Sequence, residues 1–73
     1  MNNGISKARW QQVCEQTRKY WGKLTDDDLD RIGGNAELLA DALVERYGYI
    51  RQHAVSQSNR WMRDHQDPPA AEL

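Results

Sequence analysis

Apolar positions along this chain recur every three or four residues, and no stretch alternates in the manner of a half-buried strand. Trp10, Val13, Cys14, Thr17 and Trp21 fall on one face of a helix predicted over residues 7 to 21. Ser6 stands at its N-cap, and Gly22 occupies the place of a left-handed closing residue. A second, short helix follows Thr25 and turns Leu29 and Ile32 inward before Gly33-Gly34 stops it. Asn35 caps a third helix, whose Ala36, Leu39, Ala40, Leu43, Val44 and Tyr47 make a broad stripe widened by Leu38 and Ala42. This is the expected centre of the core, closed by Gly48. A fourth helix runs from about Arg51 to His65 with Ala54, Ser58, Trp61, Met62 and His65 along one face and Val55 beside them.

These periods predict an all-α fold: a small four-helix up-and-down bundle or open helical array. Residues 1–66 form its single domain, and "DPPAAEL" over residues 67–73 reads as a flexible tail. Seventy-three residues lie near the lower limit for a self-sufficient core and cannot enclose a deep pocket between subdomains. A charged fraction of 29% beside 38% hydrophobic residues is too balanced for a disordered chain. No apolar run approaches the ~20 residues of a membrane span. The polar start "MNNGISKARW" lacks a secretory core, and one cysteine, Cys14, allows neither an internal disulfide nor a thiol-built zinc site. A cytoplasmic location is expected.

Net charge is −1, but unevenly spread. Lys7, Arg9, Arg18, Lys19 and Lys23 face only Glu15 in the first 25 residues. Residues 26 to 45 are strongly acidic, and Arg46, Arg51, Arg60 and Arg63 make the following segment basic again. Basic outer helices around acidic middle ones describe an internally complementary bundle, with a basic face for an acidic partner as the alternative.

The motif "DDDLD" at residues 26–30 invites a calcium reading, since Asp26, Asp28, Asp30 and Glu37 stand at loop-ligand offsets. Arg31 occupies the position where such a loop turns on glycine, which sets a cation beside the ion. Thr25 with Asp28 three residues on has capping-box spacing, and three carboxylates face the positive end of the helix dipole. The aspartates therefore read as a helix start. Leu24 and Leu29 have the spacing of a hydrophobic staple across it.

Other chemistry is sparse. His53 and His65 lie about 18 Å apart along one helix and cannot hold one ion in a monomer. Cys14 has no orienting group for a nucleophile and reads as a small core residue. Gly33-Gly34 is not followed by the Lys-Ser/Thr of a phosphate loop. No enzyme, metal or cofactor is expected. A helix-turn-helix would present Glu37, Asp41 and Glu45 to phosphate, the wrong sign for nucleic acid, although the basic outer helices could bind it weakly. Most of the six aromatic residues should fill the core. Tyr20 and Tyr49, flanked by Lys19 and Arg51, are the candidate partner-contact residues.

"WGKLTDDDL" (21–29), "ERYGY" (45–49), Trp10 with Gln12, Gly34, Leu39, Ala54 and Trp61 together resemble the CsbD-like family of small bacterial proteins. The likeness covers about residues 10 to 61. It implies four helices, an association with general stress responses and no known reaction, and it transfers no catalytic or ligand residue. The chain departs from the family at Glu15 and Asp41, where glycine is usual, at Ile50, where a capping residue is common, and at Val55, where an acid is. The resulting expectation is a non-enzymatic stress-associated protein acting through protein contacts, monomeric or weakly dimeric, with weak nucleic-acid association as the alternative.

Overall fold

The computed structural model describes residues 5–66 and is all-α. The helices are α1 (Lys7–Tyr20), α2 (Asp26–Ile32), α3 (Ala36–Tyr47) and α4 (Arg51–Asp64). The tail assigned to residues 67–73 lies outside the described residues.

Local signals start most of the helices. The Ser6 hydroxyl accepts from Arg9 N–H, and Asn35 Oδ1 accepts from Glu37 and Leu38 N–H. The capping box at α2 is complete: Asp28 N–H donates to Thr25 Oγ1 and Thr25 N–H donates to Asp28 Oδ2, both at 3.1 Å. Ile50 precedes α4 without a side-chain cap and is 72% exposed.

Gly33 and Gly48 close α2 and α3 in the left-handed conformation, but Gly22 does not close α1. Trp21 takes that role with φ −117° and ψ 83°, its N–H still bonded to Thr17 O. Leaving the helix in this way buries the Trp21 ring, and a turn from Leu24 N–H to Trp21 O brings Leu24 in beside it. Core burial of two large side chains supersedes the glycine cap.

The backbones of α3 and α4 approach most closely, and α2 lies against α3. Leu39, Leu43 and Met62 are wholly buried between them, each contributing about 1.5–3 kcal/mol relative to exposure. Ala40 and Ala54 keep these helices close, whereas Leu38 turns out to the surface. Small residues at a tight crossing also bury Ser58, whose hydroxyl has no hydrogen-bond partner in the structure.

α1 joins the core through long side chains. The buried Trp10 indole donates to Leu29 O at 2.9 Å, and Ile5 N–H donates to Gly34 O at 2.9 Å. Cys14 is half-buried at the core edge, its thiol 3.5 Å from Gln11 O. The charge blocks meet as well. Arg18–Asp26, Arg46–Asp28 and Arg51–Asp41 each join a basic segment to the acidic middle of the chain.

Candidate functional site

Trp61 of α4 is the hub of an aromatic cluster at the end of α1. Its indole N–H donates to Thr17 Oγ1 at 2.9 Å. Thr17, wholly buried, donates its own hydroxyl to Val13 O at 3.1 Å. This chain orients the Trp61 ring without leaving a polar atom stranded. Tyr20 stacks on Trp61 with ring centroids 5.0 Å apart and planes 19° from parallel. Trp21 meets Trp61 at 5.0 Å and Tyr20 edge-on at 4.7 Å. On the far side His65 lies 4.1 Å from Trp61, its Nδ1 2.9 Å from Trp61 O. Arg9 Nε donates to His65 O at 3.1 Å, tying the start of α1 to the end of α4.

Tyr20 remains 62% exposed despite its stacking. Beside it opens a surface cleft of about 380 Å³ lined by Tyr20, Trp21, Gln57, Arg60, Trp61 and Asp64. Arg60 and Asp64 are exposed and enter none of the ion pairs among the described residues.

The relatives of this chain are small bacterial proteins of one kind. It is 46% identical to a UPF0337 protein of Bordetella pertussis over 54 residues, 74% of this chain and 82% of that one. Identity to a UPF0337 protein of Pseudomonas aeruginosa is 43% over 54 residues, covering 74% and 83%. UPF0337 protein YjbJ of Escherichia coli shares 36% over 61 residues, covering 84% and 88%. The chain belongs to the UPF0337 family. No family model matches it, and no solved structure does. The names of these UPF0337 relatives carry no enzymatic activity.

In this UPF0337 chain the four residues singled out from sequence separate into two places. Tyr20 forms one wall of the cleft, with Lys19 exposed next to it in the last turn of α1. Tyr49 is half-buried against the core, 5.5 Å from the Tyr47 ring and 4.7 Å from His53. Arg51 is ion-paired with Asp41. Trp61 lies about 15 Å further along α4 than Arg51, so the pairs do not converge. The Tyr47 ring in turn anchors the α1–α2 loop: its hydroxyl accepts from Lys23 N–H at 3.0 Å, and Lys23 Nζ sits 5.3 Å over the ring.

Among the described residues the carboxyl of Asp28 is strongly perturbed. Arg46 donates to both Asp28 oxygens, at 2.7 and 3.1 Å, and with the Thr25 N–H this holds the Asp28 carboxyl down at about 2 against the opposing effect of burial. The carboxylate is thereby committed to a helix cap and an ion pair. Among the described residues no group of three or more His, Cys, Asp or Glu comes together as a metal centre.

Sequence reasoning placed Trp61 among core residues and missed its role as the base for Tyr20. Thr17 gave no sufficient signal, because a helical threonine can bond its own helix, as its hydroxyl does to Val13 O, and only packing shows that Trp61 also donates to it.

Proposed function

We propose that this protein is a non-enzymatic component of the bacterial general stress response that acts through protein contacts, with the Tyr20–Trp61 surface as its contact face. The carrying observation is a large aromatic ring that is 62% exposed yet held in a fixed orientation by stacking. A ring ordered before binding loses little conformational freedom on contact, which is how exposed aromatics come to dominate interfaces. The stress association rests on the CsbD-like blocks "WGKLTDDDL" and "ERYGY". The single cysteine supports a cytoplasmic setting. Against a nucleic-acid role stands the internal use of the outer-helix cations: Arg18 and Arg51 are paired with Asp26 and Asp41.

Amide NMR of labelled protein in bacterial lysate, before and after nuclease, tests the reading. Broadening centred on Tyr20, Arg60 and Trp61 that survives nuclease is the expected result. Recovery of sharp signals after nuclease would assign the partner as nucleic acid and overturn it.

A further inference from the structure

Gln57, Arg60, Trp61 and Asp64 follow one another at i, i+3, i+4 and i+7, so they form a single stripe along α4. All four line the cleft beside Tyr20. Arg60 and Asp64 stand one turn apart with opposite charge, yet no ion pair joins them, while three other ion pairs form in the same molecule. The order of the pair accounts for this: a cation N-terminal to an anion at i, i+4 is the weaker orientation on a helix. Both charges are left available on one face.

From this we infer that the face binds a second copy of the chain, with the two α4 helices antiparallel about a two-fold axis between residues 60 and 61. Such an axis sets position 60 of each copy opposite position 61 of the other. Each Arg60 then lies within one turn of the second copy's Asp64, and each Gln57 faces Asp64. The patch is self-complementary in charge, as an isologous interface requires. A partner of one sign, whether a phosphate chain or a basic peptide, would attract one of the two charges and repel the other. Four side chains from each copy's α4 are far fewer than the roughly 20–30 residues a side of a standard interface, so the dimer is a weak one. This inference deepens the contact-face reading by naming the partner.

Charge exchange tests it. Sedimentation equilibrium from micromolar to millimolar protein, with the Trp61 indole N–H followed by NMR on dilution, reads self-association directly. The wild type should associate and weaken with salt, Arg60→Glu and Asp64→Arg should each weaken association tenfold or more, and the double exchange should restore it. Circular dichroism on each variant establishes that the fold is kept. A wild type monomeric at millimolar concentration, or single variants that associate as the wild type does, would overturn the dimer. Nuclease-resistant broadening of Tyr20 and Trp61 in lysate would then still leave the contact face standing, so the two readings fail separately.

Discussion

Arg46, in the last turn of α3, grips Asp28, in the first turn of α2, with two hydrogen bonds of 2.7 and 3.1 Å. The same carboxylate accepts from Thr25 N–H, so one side chain both starts α2 and fastens it to α3. Asp28 is 5% exposed, which leaves water little competition for these bonds.

The pH dependence of stability follows from this pair. The Asp28 carboxyl titrates near 2 in the folded chain against 3.8 for the free group. A depressed carboxyl stabilises the fold above its unfolded value, and the contribution is lost as pH falls through the folded value. The stability difference between wild type and Asp28→Asn, on the order of 1–2 kcal/mol after allowing for the partial exposure of Arg46, should be constant above about pH 5 and shrink towards pH 2. Urea denaturation of both proteins across that window measures it. A difference that persists unchanged at pH 2 would mean that ionisation of Asp28 is not the source.

Gly34 should tolerate no side chain. Its φ is +93°, and a Cβ there would lie 2.5 Å from Ile5 O and 3.3 Å from Trp10 Cβ. The contact is with backbone, which cannot swing aside as a flexible side chain could. Gly34→Ala should cost more than the ~1 kcal/mol of an ordinary positive-φ glycine and should loosen the segment before α1 from the α2–α3 turn. Thermal denaturation, with loss of protection at the Ile5 amide, would report it. A variant as stable as the wild type would show that the Ile5–Gly34 bridge is dispensable.

Ile50 offers a gain. It occupies the N-cap of α4, makes no side-chain cap bond and is 72% exposed, so little packing is lost on replacing it. Ile50→Asp or Ile50→Ser should stabilise the protein by about 0.5–1 kcal/mol, with the Asp variant also favoured by the helix dipole. A fall in the denaturation midpoint of both variants would instead reveal packing on the exposed Ile50 side chain.

The departures from the CsbD-like pattern have structural outcomes. Glu15 and Asp41 are both exposed, so neither acid meets a crowded backbone, and Asp41 serves as the partner of Arg51. Val55 is partly buried and packs against the core.

The four helices, their caps at Ser6, Thr25 and Asn35 and the stops at Gly33 and Gly48 were determined by the sequence alone, because each depends on residues within a turn of one another. Tyr20 and Tyr49 were both open to selection from the sequence as surface aromatics, and of the two only Tyr20 is exposed. The tertiary structure decided the rest: that Trp61 supports Tyr20 and bonds Thr17, that Arg46 reaches Asp28, that Tyr49 turns to the core, and that Trp21 displaces Gly22 as the end of α1. Those relationships join residues far apart in the chain, and periodicity gives only the face a side chain is on. Which flank of that face is covered, and by what, is set when the helices pack.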